Sequence, residues 1–259
     1  MMLRRLRRGL ALAFSLGGCA LRYGTIRLRG PLSPEQRALW LQSASRGVLA
    51  SLDIRRDVQG VLPRNGLVVS NHLSYLDIVI FAAVMPCVFV AKREVAAWPF
   101  FGWAARAGGT IFLDRTSAAS ANSAANAIAQ RLANPIPVLL FPEGTSTDGS
   151  AVQRFHPRLF LPAARAAAPV TAAAIVYALA DGAEERELCW YGDAGFLGHL
   201  WKVLGSAGFS AHLRFGQPRL YSDPRSAAAE AHTEVAAMRE NSAAPSRSLT
   251  PTALKSCEA

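Results

Sequence analysis

The sequence predicts an α/β fold with a mainly parallel central sheet covered by helices, preceded by an N-terminal helical segment suited to association with a membrane. Two observations carry the α/β assignment. From about residue 61, apolar runs too short for helices alternate with Ala-rich segments long enough to be helices. The runs are apolar throughout, as strands buried on both faces are. Composition bears on the N-terminal segment and on partners: 51% of the 259 residues are hydrophobic and the formal net charge is +10. A basic, apolar-rich chain of this kind meets anionic lipid or phosphorylated substrates. Zinc-finger spacing and RNP-like aromatic patterns are absent from the sequence, so nucleic acid is not an expected partner.

The elements follow in order. Arg4, Arg5, Arg7 and Arg8 precede the nearly charge-free stretch GLALAFSLGGCALRYG. Its apolar part falls short of the ~20 residues that span a bilayer. That leaves a signal-peptide core, an interfacial helix or a buried helix, and a membrane-apposed anchor helix is favoured. The arginines would hold this end on the cytoplasmic side. Leu16-Gly17-Gly18-Cys19 also resembles a bacterial lipoprotein cleavage box, a minority alternative. Ser33-Pro34-Glu35-Gln36 is a helix start with a capping box. Ala38, Leu41, Val48, Leu49 and Leu52 then recur at helical spacing. Residues 1–60 thus read as an N-terminal helical segment for membrane association.

Strands are expected at 66–70, 87–91, 109–113, 136–141, 170–177 and 211–216, with helices at 74–84, 98–107, 117–133, 157–167 and 195–205. These make an α/β domain over 61–223. Residues 224–259 read as a final helix, to about 240, and a disordered polar tail. Cys19, Cys87, Cys189 and Cys257 show no metal or redox spacing, which fits a reducing, cytoplasmic compartment. No Gly-rich phosphate loop of the Walker or dinucleotide type occurs.

Three polar clusters each follow a predicted strand: Asn71-His72-Leu73-Ser74-Tyr75-Leu76-Asp77, Asp114-Arg115, and Pro142-Glu143-Gly144-Thr145-Ser146. Parallel strands would gather them on one rim, the carboxyl edge where open α/β sheets bind ligands. His72 with Asp77 has the makings of a base and its orienting carboxylate. Ser74 and Asp77 equally have capping-box spacing, so Asp77 as a mere helix cap stays open. Ser74 lies outside any G-x-S-x-G elbow and suits an N-cap. Arg115, with Lys92 and Arg93 after another strand, would add a positive field suited to a phosphate or carboxylate. Glu143, held between Pro142 and Gly144, is expected at the rim.

Taken in order, these blocks resemble the lysophospholipid and glycerol-phosphate acyltransferase family, the lysophosphatidate acyltransferases in particular. His72 and Asp77 match its H-x4-D motif, GTIFLDR (109–115) its second block, FPEGT (141–145) its third, and Pro169-Val170 its fourth. The resemblance spans roughly residues 60–220. It implies His72 as general base for an acceptor hydroxyl that attacks an acyl thioester, and Asp77 as its orienting partner. It assigns Glu143, Gly144 and Thr145 to the acceptor and Arg115 to the acceptor's phosphate, with backbone amides near the motif stabilising the oxyanion. The donor is acyl-CoA or acyl-carrier protein, the partners are membrane lipids, and the place is the cytoplasmic face of the inner membrane. No metal, cofactor or covalent acyl-enzyme is implied.

Two departures bear on the acceptor. Ser146 stands where the lysophosphatidate enzymes carry Arg, and Arg158 replaces the glycine of an F-x-x-G step. FPEGTSTDG, RFHPRLF and WYGDAGFLGHLW look more like the lyso-ornithine lipid acyltransferase branch. Lysophosphatidate, giving phosphatidic acid, is the first expectation and lyso-ornithine lipid the alternative. A thioester hydrolase would need a nucleophile elbow, which is not seen. A non-catalytic membrane-binding protein would give no reason for three polar motifs at one rim.

Overall fold

The computed structural model describes residues 1–98, 101–114 and 118–243. Helices α1 (Met2–Arg27) and α2 (Pro34–Leu52) open the chain. They are followed by β1 (Ile54–Gln59), β2 (Leu67–Ser70), α3 (Tyr75–Val84), β3 (Val88–Lys92), α4 (Phe101–Ala107), β4 (Ile111–Leu113), α5 (Ala118–Leu132) and β5 (Val138–Leu140). Then come α6 (Leu161–Arg165), β6 (Val170–Leu179), α7 (Phe196–Gly205), β7 (Phe209–Phe215) and α8 (Pro224–Ala243). The sheet order is β1-β7-β6-β2-β5-β3-β4. The β6-β2-β5-β3-β4 block is parallel throughout. At one side β7 runs antiparallel to β6, and β1 runs parallel to β7.

Alternation along each central strand feeds two cores. Val68, Leu139, Ala173 and Ile175 face a layer that includes α2, α3 and α7, where Leu49, Phe81 and Val203 are buried. Leu67, Val69, Val138 and Leu140 face the other layer, with Ile128 of α5, Ala163 of α6 and Ala227, Ala231 and Val235 of α8. Double coverage is why these strands are apolar without interruption.

Three elements depart from expectation. β1 lies within the segment assigned to the N-terminal helices, yet it is a sheet edge. Only Ile54 of its six residues is buried, and an exposed edge needs no hydrophobic pattern. The helix expected over 157–167 is a 3-10 turn, Pro157–Leu159, followed by the five-residue α6. Pro162 lacks the N–H a longer helix would use. α8 is part of the sheet's covering layer through the alanines just named, although it lies beyond 223. The polar tail expected after about 240 falls mostly in 244–259, outside the described residues.

The N-terminal pair packs on this domain. Ser33 caps α2 with the full reciprocal box to Gln36, and Trp40 and Leu49 are buried. Four arginines at the start of α1 tie it to the domain. Arg8 is 2% exposed; it bonds Asp53 and the carbonyls of Leu204 and Ser206 at the end of α7. Arg4 donates to the Ser206 carbonyl at 2.9 Å, Arg7 to Asp53, and Arg5 lies over the Trp201 ring at 4.8 Å. Cations here satisfy carbonyls that a helix terminus leaves without partners. The opposite face of α1 is apolar and exposed: Leu3, Leu6, Leu10, Phe14 and Leu21 recur at helical spacing. Among the described residues no helix is long and apolar enough to cross a membrane.

Candidate active site

β2 ends at Ser70, and the chain turns through Asn71, His72 and Leu73 before Ser74 caps α3. Hydrogen bonds from several parts of the chain hold this turn. The Asn71 carboxamide donates to the carbonyl of Ile175 and accepts from its N–H, clamping the turn to β6. The His72 N–H donates to Glu143 Oε1 at 2.7 Å, and its carbonyl accepts from Thr147 N at 2.9 Å. The Leu73 carbonyl accepts from Trp190 N at 2.8 Å.

Asp77 is fully buried. Its Oδ2 accepts from Leu73 N at 2.7 Å, from Ser74 N at 3.1 Å and from His72 Nδ1 at 2.8 Å. The two roles open for Asp77 on sequence are therefore both filled: it closes the capping box of α3 and orients the imidazole. An ionised carboxylate is acceptor-only, so Nδ1 carries the proton and Nε2 is left as the acceptor nitrogen. The ring stacks on Phe141, centroids 4.0 Å apart and planes 9° apart, which fixes its second axis. His72 keeps an 18% exposed side chain and lines a cleft of about 480 Å³ at the carboxyl rim. A base with a fixed tautomer, aimed into an open cleft, can take a proton from a bound hydroxyl.

The other expected site residues divide. Gly144 and Thr145 line this cleft with His72. Gly144 has φ 75°, a left-handed conformation that explains the glycine. Lys92 lines it too, beside Glu94. Arg93 is paired with Asp114. Glu143 differs from expectation: it is 5% exposed, with Oε1 on His72 N and Oε2 on Gln153 N at 2.8 Å. Its carboxylate braces the histidine turn from below and does not line the cleft. Burial raises its pKa, and the two backbone amides work against that rise. The N–H groups of residues 72, 73 and 74 all donate to the Glu143 and Asp77 carboxylates. Arg115 lies outside the described residues. Among the described residues no group of three His, Cys, Asp or Glu side chains is placed to hold a metal ion.

Several contributors were not foreseen. Ser146 Oγ donates to the Trp190 carbonyl, tying the FPEGT loop to the opposite wall of the cleft. Tyr177 closes the apolar run of β6 and its hydroxyl donates to Asp77 Oδ1. The rule that points to His72, a polar group at the carboxyl end of a parallel strand, applies to Tyr177 as well. Behind the cleft lies a chamber of about 340 Å³ with an almost wholly apolar lining. Ile78, Val90, Val95 and Phe141 border both spaces, and Leu12, Leu16 and Cys19 of α1 form the far wall.

Comparison with known proteins converges on one family. The family model described as Acyltransferase matches residues 55–176. The chain is 35% identical over 193 residues to the lyso-ornithine lipid O-acyltransferase of Pseudomonas aeruginosa, covering 73% of this chain and 71% of that one. It is 35% identical over 174 residues to the 1-acyl-sn-glycerol-3-phosphate acyltransferase of Neisseria meningitidis, covering 66% and 68%. The fold is that of a crystal structure of the 1-acyl-sn-glycerophosphate acyltransferase of Thermotoga maritima, with a TM-score of 0.69 at 20% identity over 94% of this chain and 96% of that one. With a matched domain and relatives of this identity over more than two thirds of their length, the chain belongs to the acyltransferase family.

Proposed function

We propose that the chain moves a fatty acyl group from acyl-CoA or acyl-carrier protein to the free hydroxyl of a lysolipid. His72 Nε2 takes the hydroxyl proton as the oxygen attacks the thioester carbonyl, and Asp77 stabilises the imidazolium that forms. The proton then passes to the leaving thiolate, giving a free thiol and the esterified lipid. The observation that carries this is the His72–Asp77 contact at 2.8 Å, opening on a cleft backed by an apolar chamber. The chamber suits an acyl chain, whose burial is worth about 0.8 kcal/mol per methylene. His72→Ala is expected to cut transfer by about 10²–10⁴ with the fold retained, read by product formation and circular dichroism. Free fatty acid as sole product, insensitive to any lysolipid, would point to a hydrolase instead.

The resemblance ranks lysophosphatidate first as acceptor, but charge in the cleft favours a lyso-ornithine lipid. Ser146 replaces a cation and its hydroxyl is bonded to Trp190. Among the described residues, Lys92 and Glu94 are the Lys, Arg, Asp or Glu side chains that line the cleft, one charge of each sign, which suits a headgroup with one carboxylate and one ammonium. A phosphate would face Glu94. Offered both lysolipids with one acyl-CoA, the enzyme is expected to prefer lyso-ornithine lipid. Preference for lysophosphatidate would overturn the headgroup assignment and leave the transfer chemistry in place. The apolar outer face of α1 supports a seat on the cytoplasmic face of the inner membrane, where both substrates meet.

A further inference from the structure

We propose that Tyr177 is a positioning residue for this acyl transfer, setting the basicity of His72 through Asp77. The inference rests on His72 being the base. Tyr177 is 3% exposed and its ring packs on Phe209, centroids 5.0 Å apart. Its backbone N–H donates to Glu185 Oε1 at 2.7 Å, and Arg239 of α8 holds Glu185 Oε2 at 2.7 Å. Arg239 also binds the carbonyls of Ile175 and Gly149, tying the part of β6 that carries Tyr177 to α8.

The donors on Asp77 are unevenly shared. His72, Leu73 and Ser74 all donate to Oδ2, and Tyr177 is the donor on Oδ1 among the described residues. A phenol hydrogen bond on Oδ1 withdraws negative charge from the carboxylate and fixes its plane. A carboxylate deprived of that donor would hold the imidazolium more tightly. His72 would then keep its proton to higher pH and be less often ready as a base. The other groups around the pair are Glu143, which faces His72 from the loop after β5, and Cys189 and Glu185, which face Tyr177. Burial pushes the Cys189 thiol up, so it stays neutral, and Arg239 offsets Glu185. Burial likewise keeps the Tyr177 phenol protonated, so it remains a donor.

The test is the titration of the His72 imidazole in the full chain, followed by NMR with isotope-labelled histidine and assigned by the signal lost in His72→Ala. In Tyr177→Phe the midpoint is expected to rise by about one pH unit, the size of one hydrogen bond to a charged group. The acid limb of kcat/KM for acyl transfer should move with it. Site-specific 3-fluorotyrosine at 177, a stronger donor of nearly the same shape, should move both the other way, and it decides the matter if Tyr177→Phe does not fold. A lowered Tm with an unmoved midpoint would make Tyr177 purely structural and overturn the proposal. A wild-type chain that acylates no lysolipid would defeat the proposed function, while the NMR midpoint would still report whether Tyr177 acts on His72.

Discussion

Glu143 separates two roles that the same letters allow. Both of its oxygens hold backbone amides, one on His72 and one on Gln153. In Glu143→Gln the carboxamide keeps one acceptor and turns an NH2 toward the other amide, donor against donor. One buried N–H is then left without a partner, at a cost of about 1–3 kcal/mol. The expected outcome is a lower Tm and a lower kcat with the acceptor KM little changed. A headgroup contact would instead raise KM, and steady-state kinetics over acceptor concentration distinguishes them. At this scale the motif residues His72 and Asp77 were legible because their partnership is local, five positions apart. The direction of the Glu143 carboxylate was not, since a Pro-Glu-Gly turn fixes a backbone and leaves the side chain either way to point. Asn71 and Tyr177 find their partners 104 and 100 residues along the chain, a pairing that spacing does not encode.

Among the elements, α7 carries a pH-sensitive joint. His199 is buried, with Nε2 donating to the Leu188 carbonyl at 3.1 Å and Nδ1 accepting from the Tyr75 hydroxyl at 3.1 Å. Burial holds its pKa below the ordinary 6.5. A histidine whose folded pKa is depressed contributes stability above its unfolded value, and this is lost as pH falls through the folded one. Tm is therefore expected to drop as pH falls below about 6.5. His199→Phe should start from a lower Tm at neutral pH and show a shallower drop, as thermal melts across that range would reveal. The strongly apolar elements, β2, β3, β5 and β6, were legible because each is buried on both faces. β1, with Arg55, Arg56 and Asp57 in the strand, was not, because its ordering comes from backbone pairing with β7 and not from side-chain burial.

At the scale of the whole molecule, parallel order in the β6-β2-β5-β3-β4 block is what brings the motifs to one rim, and the alternation of strands and helices foretold it. The reversal at β7 takes that strand's carboxyl end to the opposite edge, so AHLRFG adds nothing to the cleft. Attachment to a bilayer belongs to this scale as well. Leu10 and Phe14 are 64% and 86% exposed on α1. Burying such a side chain is worth about 1.5–3 kcal/mol. The double variant Leu10→Asp/Phe14→Asp is expected to lose sedimentation with phospholipid vesicles by tenfold or more while keeping its Tm, since neither side chain supports the core.

The side of α1 turned away from Phe14 carries Leu12, Leu16 and Cys19, which line the apolar chamber. On the proposed function, a lipid surface that holds the outer side of α1 would also set how deep a fatty tail reaches into the chamber. The enzyme's choice among tails is accordingly expected to shift between micelles and bilayers, as a panel of thioesters of graded length would register.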